Sequence, residues 1–298
     1  MSFHYQLLSI LSPIFSIIRK IGVFIGFVSK NRLRVLAYHD IPESEEIVFT
    51  NHINLLKEKW NIVSPAEFEM MISGKKPIIG SNVLITFDDG FISNKLIAEK
   101  ILNPLGVKAI FFVISDFVEI KNRNKSYKFA STQIVPGSII KNIPRNWENM
   151  QWADLAALIE QGHTIGCHTK THARLSDIFS IDELEMEIIQ SAEKISHKLG
   201  VDINHFAFTF GNIDSFSRDA LQVAKKKFDF IYSGIRGVNL GKVSPFAIRR
   251  DAVAYQLKDN TYKLVNKKLL SVFMDGFVDI FYGSARKKID KWSKEFHV

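Results

Sequence analysis

Apolar and polar positions follow one another along this chain in two patterns. Runs of five to seven residues rich in β-branched and aromatic side chains occupy 34–38, 83–87, 108–114 and 205–210. Unbroken runs of this kind suit strands buried on both faces. Residues 52–73 predict a helix, a short strand near 61–64 and a second helix from Pro65. Further helices are predicted at 94–102, 151–161, 180–199 and 218–227, and two last strands at 228–233 and 246–248. Ser64 with Glu67, and Ser180 with Glu183, have the spacing of helix N-terminal capping boxes, and Pro104 ends the helix at 94–102. Strand and helix in turn predict an α/β fold with a parallel sheet.

Three stretches break the alternation. Residues 7–18 are almost wholly apolar, Arg19 and Lys20 interrupt, and 21–28 are apolar again. The central cation pair argues against a helix that spans a bilayer, and neither a basic start nor a small-residue cleavage site marks a signal peptide. The stretch reads as an interfacial helix or helical hairpin, with Lys30, Arg32 and Arg34 facing anionic lipid. Residues 116–149 form a polar insertion leaving the C-terminal end of a strand, where it can roof a site. The tail beyond Lys258 predicts one or two helices that cover the domain or join the N-terminal segment. With 298 residues, 46% of them hydrophobic, the chain can bury a sizeable core, and its single cysteine, Cys167, excludes an intrachain disulfide. The net charge of +8 sits at the ends: residues 1–36 hold five basic residues and no acid, and 284–298 hold five basic against two acidic, leaving the middle neutral. A neutral middle points away from a binder of nucleic acid.

Two polar clusters carry candidate chemistry. Asp88 and Asp89 end the 83–87 strand ahead of Gly90, at the strand end where parallel α/β folds bind ligands. Two adjacent aspartates repel each other there and call for a cation. His168 and His172 are four apart, which on a helical turn brings both imidazoles to one face. Imidazole and carboxylate together are a ligand set for zinc and its first-row neighbours, and two histidines with one aspartate leave coordination positions open.

The sequences Thr86-Phe87-Asp88-Asp89-Gly90 and His168-Thr169-Lys170-Thr171-His172 resemble the first two motifs of the NodB-homology polysaccharide deacetylases. Residues 36–40, 109–113 and 206–211 agree in order, so the resemblance covers roughly 33–253. It implies a distorted (β/α) barrel of parallel strands carrying a metal-dependent amide hydrolase of N-acetylated sugars. Carried over residue by residue, it implies Asp89, His168 and His172 as metal ligands, Asp88 as general base and the backbone N–H of Phe210 as an oxyanion donor. The chain departs from the family at Thr209, where a proline is usual, and lacks an arginine just before it. Arg249 or Arg250, at the end of a late strand, is the substitute, with Arg250 taken as the site residue. The family's late leucine-histidine motif is also missing, since no histidine occurs between His205 and His297. His39, at the end of the first strand, is then the candidate general acid.

The expected organisation is an apolar and basic interface segment at 1–32, a deacetylase barrel at 33–257 with its insertion at 116–149, and a helical basic tail at 258–298. The expected activity removes the N-acetyl group from a sugar of a surface polysaccharide or its lipid-linked precursor, with a divalent metal, zinc first. A deformylase or ester hydrolase using the same metal site, and a catalytically inactive glycan-binding scaffold, are the alternatives. Expected partners are an N-acetylated glycan or lipid-linked sugar and an anionic membrane surface, with no nucleic acid. The expected location is monotopic or peripheral on a membrane, at its cytoplasmic face, with the periplasmic face as the alternative.

Overall fold

The chain enters through a long helix, α1 (Phe3–Phe24), and then builds a parallel sheet strand by strand. A computed structural model, the structure describes residues 3–136, 147–241, 243–252 and 265–295. β1 (Arg32–Tyr38) is followed by α2 (Glu46–Lys59), β2 (Asn61–Ile62), α3 (Pro65–Ile72) and β3 (Ser81–Phe87). Next come α4 (Ile92–Ile97), β4 (Ala109–Val113), the insertion helices α5 (Ser115–Val118) and α6 (Arg123–Phe129), α7 (Trp152–Glu160) and β5 (Thr164–Cys167). α8 (Ile181–Glu185) runs through a widened turn, Met186–Gln190, into α9 (Ser191–Leu199). β6 (His205–Ala207), α10 (Arg218–Lys225), β7 (Phe230–Tyr232) and β8 (Asp251–Ala252) complete the sheet, and α11 (Lys267–Asp275) and α12 (Gly283–Lys294) form the tail.

Neighbours run β7-β6-β5-β4-β3-β1-β8, all parallel, with β2 added beside β3. Residues 248–252 touch both edges of this sheet: Ile248 bridges to Tyr232 of β7, and Asp251 and Ala252 pair with Leu36 and Ala37 of β1. That contact closes the sheet into a distorted barrel. The period-2 alternation of the strands splits the core in two. Leu33, Val35, Leu84, Ile110 and Phe112 pack in one cluster, while Leu36, Tyr38, Ile85, Phe87 and Phe111 pack in another with the helices. Ser64 caps α3 and Ser180 caps α8, each accepting from the N–H of the glutamate three residues on.

Some elements differ from the sequence reading. The strand expected at 205–210 ends at Ala207, and a left-handed φ of +59° at Phe210 turns the chain out of the ladder. The strand expected at 246–248 falls instead at Asp251–Ala252, where β1 offers a free edge. The described part of the insertion is helical at 116–118 and 123–134, and its residues 137–146 lie outside the described residues, as do 258–264 of the tail.

The N-terminal segment is a single helix laid along α11. Phe15 stacks on Phe277 at 4.6 Å, Arg19 Nε lies 3.4 Å from Asp275, and Ser9 donates to Asn266. By length and composition Gln6–Phe24 is apolar enough to cross a membrane, so the Arg19-Lys20 pair does not disqualify it. Two of the three cations expected to face lipid are engaged inside the fold. Arg34 is fully buried and pairs with Asp251 and Asp279, both at 2.6 Å, because its place on β1 points it under the tail. Arg32 pairs with Asp275 at 2.7 Å and stacks over Trp60. Lys30 alone of the three stays exposed.

Candidate active site

Strand ends meet at the C-terminal mouth of the barrel, and three of them, those of β3, β5 and β6, are followed by tight turns. β3 ends at Phe87, and the N–H of Asp88, the next residue, donates to the Tyr38 carbonyl of β1. Asp89 takes a left-handed φ of +76° and Gly90 follows at +87°. A Cβ on Gly90 would crowd Val113 at 3.3 Å, so the turn needs glycine there. After β5, Thr169 and His172 take φ of +67° and +64°. His168 and His172 therefore converge across a kinked loop rather than along a helical turn, as their spacing had suggested. After β6, Gly211 comes so close to Gly234 that a side chain would strike its backbone, which fixes the exit of Phe210.

The structure brings Asp89, His168 and His172 together, buried, with one ligand atom from each lying within 4.8 Å of the others. His168 Nδ1 donates to the Ala207 carbonyl and His172 Nδ1 to the Gln133 carbonyl, both at 2.8 Å. A carbonyl only accepts, so both protons sit on Nδ1 and both Nε2 lone pairs turn inward. Burial holds both imidazoles below their usual range, His168 at about 3, so both are neutral. The two Nε2 atoms lie 3.6 and 3.5 Å from Asp89 Oδ1, which is buried without any hydrogen-bond partner. Burial pushes the Asp89 carboxyl up to about 7, with His39 opposing and Asp88 adding to the rise. An orphaned buried oxygen facing two neutral imidazoles fits a divalent cation. Ligands about 2 Å from a tetrahedral zinc lie roughly 3.3 Å apart, close to the separations seen.

Asp88 has different company. Arg250 Nη1 donates to its Oδ1 at 2.6 Å, and Arg250 Nε donates to the Ser233 carbonyl. Burial alone would raise the Asp88 carboxyl, but Arg250, with His168 and His39, brings it down to about 2. Of the two candidate arginines it is Arg250 that reaches the mouth; Arg249 points away to Asp290 at 2.7 Å. His39 Nε2 stands 3.9 Å from Asp88 Oδ2, with its side chain about half exposed on the rim. Among the described residues, nothing accepts from the Phe210 N–H.

These groups floor a cleft of about 590 Å³. Pro42, Phe91, Val135, Trp147 and Phe210 wall it with apolar surface. Two features of the cleft escaped the sequence reading. Gln133 and Trp147, from the insertion, supply the His172 acceptor and a wall, and Trp147 Nε1 donates to Asp40 at 2.8 Å. The insertion's position after a strand end was the available signal for both.

A parallel barrel with an Asp-His-His cluster and a neighbouring carboxylate–arginine pair at its mouth defines a class of hydrolase-like α/β proteins. The sequence pattern of the family described as polysaccharide deacetylase, the NodB-homology type, matches residues 75–227, and the chain belongs to that family. Asp88, Asp89, His168, His172 and Phe210 lie inside the match; His39 and Arg250 lie outside it. The YxkH protein of Bacillus subtilis (strain 168) is 30% identical over 97 residues, which are 30% of this chain and only 35% of that relative. Among solved structures, IcaB from Ammonifex degensii superposes over 89% of this chain and 98% of its own, with a TM-score of 0.59 at 17% identity. The Streptococcus pyogenes deacetylase PplD, in complex with acetate, covers 82% and 99% with a TM-score of 0.61 at 18% identity. The BpsB deacetylase domain from Bordetella bronchiseptica covers 76% and 97% with a TM-score of 0.59 at 20% identity. At such identities these likenesses are of fold.

Proposed function

We propose that the protein is a metal-dependent hydrolase that removes the N-acetyl group from a sugar of a surface polysaccharide or its lipid-linked precursor. The observation that carries this reading is the orphaned Asp89 oxygen between two neutral imidazoles, beside an Asp88 held ionised by Arg250. Asp89, His168 and His172 would hold the cation, zinc by the preference of a nitrogen and oxygen donor set. Once bound, it supplies Lewis acidity toward a water and an amide carbonyl. Asp88 takes the proton of the attacking water as general base, and Arg250 keeps that carboxylate oriented and charged. The Phe210 N–H donates to the oxyanion as it develops. His39 returns a proton to the departing amine from the open rim. The apolar walls at Phe91, Trp147 and Phe210 suit the faces of a pyranose ring.

A membrane surface as second partner is supported by the outward stripe of α1, where Leu7, Ile10, Ile14, Ile17, Ile21 and Phe24 are exposed. Metal content of the purified protein, together with acetate release from chito-oligosaccharides and lipid-linked acetylated sugars, tests the reading. Release of formate in place of acetate would point to the deformylase. Bound zinc with no turnover on any acylated sugar would leave a glycan-binding scaffold.

A further inference from the structure

The loop that carries two of the three candidate ligands is held in a shape its own residues resist. Thr169 is β-branched and His172 bulky, yet both take left-handed φ. Such residues persist there only where the surroundings over-determine them. The ties can be followed one by one. His168 N–H donates to Val113, and His172 N–H donates to Thr169 Oγ1 at 3.0 Å. The Thr169 and Lys170 carbonyls accept from the Ser115 and Asp116 N–H groups. Lys170 Nζ donates to Asp116 at 2.9 Å, and three further donors of the loop go to a single carboxylate. Glu187 Oε2 accepts from the Lys170 and Thr171 N–H groups at 3.1 and 3.0 Å, and Oε1 accepts from Thr171 Oγ1 at 2.8 Å. Glu187 lies on the widened turn Met186–Gln190 that joins α8 to α9, and widened turns of this kind are frequent at functional sites. It touches none of the candidate ligands and takes no part in the chemistry above.

We propose that Glu187 is a positioning residue for the metal centre: through Lys170 and Thr171 it fixes the loop that aims His172 Nε2 at Asp89. The inference rests on the metal-site reading but concerns a residue that reading does not use. Its test is zinc affinity by chelator competition together with amide exchange at Lys170 and Thr171 in the metal-free protein. Glu187→Ala should weaken zinc about 10- to 100-fold, as loss of an outer support of a ligand does, and should speed exchange at both amides. Glu187→Gln should recover most of both losses, because an amide can accept from the two N–H groups and donate to the Thr171 hydroxyl. Glu185→Ala, which removes the carboxylate paired with Lys226 on the adjoining turn, should bind zinc as the native protein does. Native zinc affinity in Glu187→Ala overturns the proposal, and so does a Gln variant as weak as Ala, which would reduce the effect to charge. If Glu187→Ala does not fold, Thr171→Val decides instead, and unchanged affinity there overturns the proposal. Native protein that binds no zinc would defeat the metal reading, while amide exchange would still report on the loop.

Discussion

Asp88 and Asp89 are neighbours in sequence with opposite surroundings. Arg250 reaches the first at 2.6 Å and brings it down to about 2, while Oδ1 of the second has no hydrogen-bond donor among the described residues and burial raises that carboxyl to about 7. Two carboxylates whose environments push them apart can hold different roles, base and ligand. Asp88→Asn should therefore keep bound metal and lose on the order of 10²–10⁴ in turnover, whereas His168→Ala should lose the metal. Near-native acetate release by Asp88→Asn would remove it as the base. A second residue-scale expectation concerns His52, buried with its Nδ1 2.9 Å from the Tyr38 hydroxyl. Burial lowers its pKa from 6.5 to about 4, so the folded protein keeps the imidazole neutral. The unfolded chain binds the proton first as pH falls, so the stability this neutral ring retains at pH 7 is lost between about 6.5 and 4. At 1.36 kcal/mol per unit that amounts to roughly 3 kcal/mol. Urea unfolding at pH 7 and pH 4.5 should show a steeper acid loss in the native protein than in His52→Gln; equal slopes would assign the acid loss to other groups.

At the scale of elements, the strands with unbroken apolar runs and the capped helices were legible, because burial and capping are written locally at Val83–Phe87, Ser64 and Ser180. The candidate ligands and Asp88 were legible as residue types. Their geometry was not, because Asp89, Thr169, His172 and Phe210 take left-handed φ that no glycine announces. The closure of the barrel was also hidden. It depends on Asp251 finding Arg34, 217 positions away. Arg34 joins Asp251 of β8 to Asp279 of the tail and donates to the Met274 carbonyl, with Arg236 on the other oxygens of both acids at 3.6 and 3.7 Å. β8 is two residues long, and Arg250 immediately precedes it. The cluster thus secures both the tail and the strand that presents the partner of Asp88. Arg34→Met leaves two buried carboxylates short of a cation and should cost about 3–5 kcal/mol. It should also lower turnover more than zinc affinity, since the proposed metal ligands come from other strands. An unchanged denaturation midpoint would show that Arg236 alone suffices.

For the whole molecule, the disposition of α1 bears on the proposed membrane partner. One face of the helix packs on the tail through Phe15 and Arg19, and the opposite face leaves Ile10 71% and Phe24 91% exposed. Ile280 and Phe281, on the turn that follows Phe277, add 76% and 81% exposure beside it. Lys20, Lys30, Lys287, Lys288, Lys291 and Lys294 are exposed as well, while Arg32 and Arg34 are spent inside. Each exposed lysine near an anionic surface is worth roughly 1 kcal/mol. A helix that crossed the bilayer would have to abandon the Phe277 stack and the Asp275 pair, so the docked arrangement favours lying in the interface. The protein should then sediment with vesicles rich in anionic lipid and be partly released by high salt. Changing Ile10, Ile17 and Phe281 together to Ser leaves the packed face of α1 intact. That variant should lose vesicle binding while still releasing acetate from soluble chito-oligosaccharides. Cysteine labels placed near Gln6 and near Lys30 should both stay accessible from the side on which the protein was added. Protection of the Gln6 label alone would mean that α1 leaves α11 and crosses, and unchanged binding by the triple Ser variant would mean that this face is not the one that meets lipid.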